Sequence, residues 1–278
     1  MRIEDCTVRV ERRTAGGCLD LAIVFTQQHI GAIAKLLITF AVPSCMITWW
    51  ISAGRTDLLL LSTAIFAFFS SLMSATLIAT VGPQVFGVPI STSAGTAAVR
   101  QRFFSFLLMT SLVRLAQFVL AFCLVVPAIL PTAMLGHLNE VLFLERTPIR
   151  EVGRRLRNLI RGNGFSRNLS RLSGLILFWA ICSLGLFVLI DQLAAWVFNV
   201  EIFKGTMING EDWFEALAAS VVDDRSVLLL LQVAVWIPFP IIRLAWFFCY
   251  LDQRIRNECW DLDLQFRAEA TRLEEQTV

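Results

Sequence analysis

The stretch LLLLSTAIFAFFSSLMSATLIATV, residues 58–81, decides the fold of this chain. Its 24 residues include no charged side chain. A helix rises about 1.5 Å per residue, so a run of this length crosses the roughly 30 Å hydrocarbon core of a bilayer. Small residues in the run allow neighbouring helices to approach closely: Ala64, Ala67, Ser71, Ser74 and Ala75. The stretch therefore predicts a transmembrane helix packed against others.

The composition extends this prediction to the whole chain. Hydrophobic residues make up 56% of the 278 residues and charged residues only 17%. A soluble domain has about a quarter charged residues. The apolar residues are clustered in runs, which predicts an all-α integral membrane bundle of about six transmembrane helices with additional amphipathic interfacial helices. The predicted spans are 33–53, 58–81, 103–126, 128–144, 175–200 and 227–250.

The remaining segments are assigned around these spans. Residues 1–32 are predicted to be a cytoplasmic N-terminal segment with an interfacial helix, and residues 251–278 a cytoplasmic C-terminal helix. The fourth span is the weakest because it contains His137, Asn139 and Glu140. The sixth contains Pro238 and Pro240, which predict a kink because proline removes backbone donors.

The distribution of basic residues predicts the orientation. With six spans, nineteen Lys and Arg residues lie on the side of both termini, and three lie on the opposite side. Cytoplasmic loops of membrane proteins carry such an excess of positive charge. We therefore predict a multi-pass inner-membrane protein with cytoplasmic N- and C-termini.

An arginine-rich loop, residues 146–173, follows the fourth span. Its arginines recur at spacings of four, four, three and four, on one face of a helix: Arg146, Arg150, Arg154, Arg157 and Arg161. Such a helix beside a membrane binds anionic head groups. Arg150, Arg154, Arg157 and Arg161 are the candidate residues for binding lipid or a cytoplasmic protein partner. The alternative is an anchor that only fixes topology.

Four ionisable residues lie nearest the apolar interior: Arg114, His137, Glu140 and Arg243. Charges at this depth pair with one another or line a polar cavity. Glu140 has two candidate partners, Arg114 and Arg243. The cluster is either a solute or proton path or an ion pair that holds helices together.

Other kinds of site are not predicted. The seven cysteines form no C-x-x-C pair, so neither a metal nor a disulfide framework is expected. No nucleotide or other cofactor motif occurs, and we predict no catalytic residues. The basic residues lack an interleaved aromatic platform, so we predict no nucleic-acid partner.

Several short motifs resemble a broad bacterial family of polytopic membrane proteins. They are Phe86-Gly87, Arg100-Gln101-Arg102, Val125-Val126-Pro127, the segment Glu140 to Arg146, and the basic helix ending at Arg161-Gly162. They are similar to the membrane domain that is attached to some glycerophosphoryl diester phosphodiesterases. The segment Tyr250 to Leu262 resembles an ending found in related uncharacterised proteins, with Cys259 in place of glycine.

The resemblance implies a membrane architecture but no hydrolase activity, because the phosphodiesterase catalytic domain is not present in this sequence. The functional hypothesis is a non-enzymatic scaffold or accessory protein. The alternative is a transporter or channel that uses the intramembrane Arg and Glu residues. A membrane enzyme acting on lipids is a third, less favoured hypothesis.

Overall fold

A computed structural model describes residues 12–52, 59–85, 91–123, 129–161, 163–199, 202–203, 217, 219–222 and 224–258. Within these ranges the secondary structure is helical, which confirms the all-α prediction. The helices are α1 Ala15–Gln28, α2 Ile30–Ile51, α3 Leu59–Gln84, α4 Thr92–Gln101, α5 Phe103–Cys123, α6 Ile129–Leu135, α7 Leu138–Phe143, α8 Ile149–Leu159, α9 Gly164–Phe198, α10 Arg225–Trp236 and α11 Phe239–Glu258.

Five of the described helical runs are long and apolar enough to cross a membrane. They are Ile30–Ile51, Leu61–Gln84, Phe103–Leu120, Gly164–Phe198 and Arg225–Glu258. These runs coincide with five of the six predicted spans and indicate a membrane protein. The last run is broken at Ile237 and Pro238, between α10 and α11, where the prolines predict a kink.

The predicted fourth span has a different form. Residues 129–143 form two short helices, α6 of 7 residues and α7 of 6, joined by a turn at Gly136 and His137. A helix of 7 residues is only about 10 Å long, so neither helix alone crosses a bilayer. Residues 124–128, at the end of the third predicted span and the start of the fourth, lie outside the described residues, as do residues 259–278 of the predicted C-terminal helix.

The chain divides into two compact units. Unit 1 comprises Met1–Ile33, Ser74–Leu175 and Ile241–Val278, and unit 2 comprises Ala34–Met73 and Ile176–Pro240. The core of unit 2 is aromatic and aliphatic, with Phe187, Phe203 and Leu230 among its buried residues. Unit 1 buries many polar and charged side chains. Its close helix contacts include Gly95 of α4 against Thr80 of α3, where a side chain on Gly95 has no room.

Candidate functional site

An ion pair lies in the interior of unit 1. Oε1 of Glu140, on α7, is 2.8 Å from Nη2 of Arg243, on α11, and the two side chains are 0% and 8% exposed. The contact lacks the angles of a hydrogen bond, so its attraction is electrostatic. Ser74 of α3 accepts hydrogen bonds from Arg243 Nε and from Asn139 Nδ2. These contacts join three helices that are distant in sequence.

His137 lies beside this ion pair, in the turn that immediately precedes α7. Its ring stacks on Trp246 with centroids 4.4 Å apart, and it is 2% exposed. The indole Nε1 of Trp246 donates to the carbonyl of Gly136 at 3.1 Å. A Cβ at position 136 meets the carbonyl of Thr132 and the ring of Trp246, so glycine is required for this close approach. His137 is therefore held against α11 by stacking.

Arg114 has a different environment from the other three predicted cluster residues. It lies on an exposed side of α5, and its Nη1 donates to Gln117 Oε1 at 3.2 Å. Of the two partners that the sequence left open for Glu140, the structure places Arg243 in contact. His137, Glu140 and Arg243 are thus brought together within unit 1.

A second network joins Glu145 to the end of α11. Arg155 of α8 donates to both carboxylate oxygens of Glu145, at 2.5 and 2.8 Å, and lies 2.5 Å from Glu258. Tyr250 donates to Glu145 at 2.7 Å. Burial opposes ionisation of Glu145, but the bonds from Arg155 and Tyr250 outweigh it and lower the pKa of this carboxyl. Glu145 is therefore held as a carboxylate between α8 and α11.

A third network, here called the Asp252 clasp, consists of Arg13, Arg171, Asp252 and Arg256. The Asp252 carboxylate is 1% exposed and accepts from Arg171 at 2.6 Å, from Arg256 at 2.8 Å and from the Arg13 backbone N–H at 2.7 Å. Arg171 and Arg256 also donate to the Arg13 carbonyl, at 3.1 and 3.2 Å. The clasp joins the N-terminal segment to the start of α9 and to α11.

Comparison of the whole chain with family models, with curated proteins and with solved structures finds no match. Among the described residues, no group of three or more His, Cys, Asp or Glu side chains is placed to hold a metal ion.

The arginine-rich helix α8 has two different faces. Val152, Leu156 and Leu159 are buried within unit 1, at 1 to 3% exposure. Gln253 and Asn257 of α11 donate to the carbonyl of Leu159, at 2.9 and 2.5 Å, and so satisfy the C-terminal end of α8. Packing against the protein's own helices accounts for this apolar face.

Three of the predicted arginines lie on the opposite face of α8, and the fourth, Arg161, lies two residues beyond its end. Arg150, Arg154, Arg157 and Arg161 are all exposed. Arg154 lies 3.4 Å from Glu151 in an exposed pair, which contributes little in water. No described acidic side chain forms an ion pair with Arg150, Arg157 or Arg161. The four arginines are here called the α8 arginine surface.

Periodicity in the sequence anticipated the difference between the two faces of α8. Arg155 is outside the predicted four-four-three-four series, and it is the arginine that turns inward to Glu145 and Glu258. Neither the Glu145 network nor the Asp252 clasp was predicted from the sequence. The sequence contains one indication of the clasp. Asp252 is an acidic residue at the point where the segment Tyr250 to Arg256 changes from apolar to basic.

Proposed function

We propose that this chain is a non-enzymatic scaffold of a bacterial inner membrane whose α8 arginine surface binds anionic phospholipid head groups on the cytoplasmic side. The observation that supports the proposal is the difference between the two faces of α8. Its apolar face and Arg155 are engaged within unit 1, whereas Arg150, Arg154, Arg157 and Arg161 remain exposed. A guanidinium forms two parallel hydrogen bonds with a phosphate, which suits these arginines to head groups.

The short connections on both sides of α8 favour lipid as the ligand. Five residues separate the end of α7 from the start of α8, and four separate α8 from α9. An extended chain spans at most about 3.6 Å per residue, so the first connection reaches no further than about 18 Å. Because α9 is a candidate span, α8 stays within reach of the membrane surface.

The Asp252 clasp supports the proposed six crossings and the shared side of the termini. Arg13, Arg171 and Asp252 are in direct contact, so they lie on one side of the membrane. Among the described residues, three long apolar helices lie between positions 13 and 171, an odd number. An odd number of crossings would put positions 13 and 171 on opposite sides, so the chain needs one more crossing between them. Residues 124–144 are the stretch available for it. Arg102, before α5, also donates to the carbonyl of Leu142, near the end of this stretch, and to that of Arg146, just after it.

Cysteine accessibility in intact cells tests this topology. On a cysteine-free background, R55C and G210C should react with a membrane-impermeant thiol reagent, and R157C and S93C should not. Lysis of the cells should then make R157C and S93C reactive, which shows that their thiols are competent. Labelling of R157C in intact cells would place α8 outside and contradict both the topology and the lipid proposal.

Loss of two α8 arginines should weaken binding of anionic lipid. We expect R154Q/R157Q to lower the affinity for phosphatidylglycerol by about 30-fold, since each arginine near an anionic surface contributes about 1 kcal/mol. Binding is measured by titrating the lipid into detergent-solubilised protein and counting bound molecules by native mass spectrometry. Phosphatidylcholine, which has no net charge, should bind equally to the variant and the unmodified chain.

The matched control is R12Q/R100Q, which removes two arginines that are exposed elsewhere in unit 1. It should retain nearly the full affinity for phosphatidylglycerol. Equal losses in the two double variants would mean that general charge rather than the α8 arginine surface attracts the lipid. An unchanged affinity in R154Q/R157Q would make an acidic protein the better candidate for this surface.

Transport is the second candidate function, and a specific observation favours it. Both ring nitrogens of His137, Asn168 Oδ1 and Gln253 Oε1 are buried in unit 1, where the Asn168 and Gln253 side chains lie beside the His137 ring without the full geometry of a hydrogen bond. Buried polar groups of this kind are commonly satisfied by internal water. A hydrated interior is what a proton or solute path requires. The scaffold is preferred because Glu140 and Arg243 are already neutralised by each other.

A further inference from the structure

A long apolar groove lies in unit 2, between α2 and α10. Its volume is about 720 Å³, and its lining includes Ala41, Cys45 and Trp49 from α2 and Leu229, Val233 and Ile237 from α10. Several side chains along it are large, apolar and exposed, among them Ile38 at 60% and Met46 at 66%. On helices that are candidate membrane spans, exposed apolar side chains of this kind face the hydrocarbon of the lipid.

The polar groups nearest this groove are turned away from it. Gln232 of α10 donates to the Ser44 hydroxyl of α2 at 2.9 Å, and the two side chains are 7% and 0% exposed. This bond joins the two helices behind the groove. The surface that remains open is thus hydrocarbon, and it accepts a ligand by apolar contact along its length.

One end of the groove carries a positive charge. The guanidinium of Arg225, at the start of α10, lies 4.4 Å from the ring centroid of Trp49, and Arg225 is exposed. Tryptophan is enriched where the hydrocarbon meets the head groups, and Trp50 beside it is 80% exposed. Trp49 and Arg225 therefore mark the interfacial end of the groove.

The length of the groove fits half of a bilayer. Leu37 and Trp49, both of which line it, are twelve positions apart on α2. At 1.5 Å per residue this is about 18 Å, close to one leaflet of a hydrocarbon core about 30 Å thick. The two helices belong to runs that are themselves candidate spans, so the surrounding medium is lipid.

We propose that this groove is a phospholipid site that holds one acyl chain between α2 and α10, with the lipid phosphate at Arg225. The α2 and α10 side chains supply the apolar contact. The guanidinium of Arg225 supplies hydrogen bonds to the phosphate, which all phospholipid classes share. The site is accordingly expected to bind any lipid that has an acyl chain and a phosphate, whatever the net charge of its head group.

The first test uses phosphatidylcholine with 16-carbon chains, titrated into the detergent-solubilised full chain and counted by native mass spectrometry. A41W fills the groove and should lower the affinity at least about tenfold, because the buried methylene contacts of the chain are lost. L112W places the same side chain on the exposed face of α5 and should bind normally. Equal binding by A41W and L112W overturns the proposal.

The variant R225Q tests the contribution of the lipid phosphate separately from that of the acyl chain. It should lower the affinity for phosphatidylcholine several-fold and leave the affinity for hexadecanol, which has no phosphate, unchanged. R154Q/R157Q should not alter phosphatidylcholine binding, so failure of the groove is distinguishable from failure of the α8 arginine surface. If the unmodified chain is a dimer and A41W is a monomer with undiminished lipid binding, a second copy occupies the groove and the lipid proposal is overturned.

A measurement on the unmodified chain guards against misfolding of A41W. Cys45 lines the groove, whereas Cys182 of α9 is partly exposed and does not line it. Saturating phosphatidylcholine should slow modification of Cys45 by a membrane-permeant maleimide several-fold and leave the rate at Cys182 unchanged, as mapped by peptide mass spectrometry. Equal rates at Cys45 with and without lipid contradict occupation of the groove.

Discussion

Glu140→Gln should lower the free energy of unfolding by about 3–5 kcal/mol, among the largest effects expected of a single substitution here. The substitution removes the carboxylate that lies 2.8 Å from Arg243 and leaves a guanidinium that is 8% exposed without its counter-charge. Ser74 continues to accept from Arg243, but a hydroxyl does not neutralise it. The change is measured by SDS-induced unfolding in mixed micelles, followed by circular dichroism.

Two further variants make this prediction specific. Glu151→Gln is the matched control, because Glu151 is an exposed carboxylate paired with Arg154 and its loss should change stability by less than about 1 kcal/mol. E140L/R243M removes both charges together and should recover most of the lost stability, as replacement of buried ion pairs by apolar residues often does. Equal stability of Glu140→Gln and the unmodified chain would show that the pair contributes nothing.

The double variant E140L/R243M also discriminates between the scaffold and the transporter hypotheses. In proteoliposomes with an imposed pH gradient, the scaffold hypothesis predicts no proton flux from either E140L/R243M or the unmodified chain. Flux that is present in the unmodified chain and absent from a folded E140L/R243M protein would establish the transport function and displace the scaffold proposal.

Asp252→Asn should have an effect of similar size, about 3–5 kcal/mol, because one carboxylate serves three donors. Arg171 is 7% exposed and loses its counter-charge, while the Arg13 backbone N–H loses the acceptor of its 2.7 Å bond. The N-terminal segment should therefore be released. Faster tryptic cleavage after Arg13, detected by intact mass, measures that release independently of global unfolding.

The control for this prediction is Asp20→Asn. Asp20 is an exposed carboxylate on α1, and its replacement should shift stability by no more than about 0.5 kcal/mol. Cleavage after Arg13 should proceed in this variant as in the unmodified chain. If Asp252→Asn unfolds no more readily than Asp20→Asn, the clasp does not hold the N-terminal segment.

The long helices were predictable because their signal is local. The apolar run 58–81 became Leu59–Gln84, since an uninterrupted apolar stretch in lipid must satisfy its backbone hydrogen bonds internally. Residues 128–144 gave a weaker signal and formed two short helices. The turn at Gly136 depends on the ring of Trp246, which is 110 residues away, so no window around residue 136 contains its cause.

The pairing of charges was only partly predictable. Helical spacing separated the exposed α8 arginines from Arg155, because one face of a helix is fixed by its period. The choice of Arg243 over Arg114 for Glu140 was not predictable, since it depends on which face of α5 and of α11 meets α7. Asp252 and Arg171 are separated by 81 residues, and their contact likewise requires the tertiary fold.

The position of the Asp252 clasp has a consequence for biogenesis. Arg13 and Asp252 are 239 residues apart, so the N-terminal segment waits for nearly the whole chain before it meets its acceptor. Spans are synthesised from the N-terminus, and contacts of such high sequence separation close late. Until α11 is inserted, Arg171 too lacks its counter-charge. A nascent chain interrupted before residue 252 thus lacks the one carboxylate that holds both the N-terminal segment and Arg171 in the finished protein.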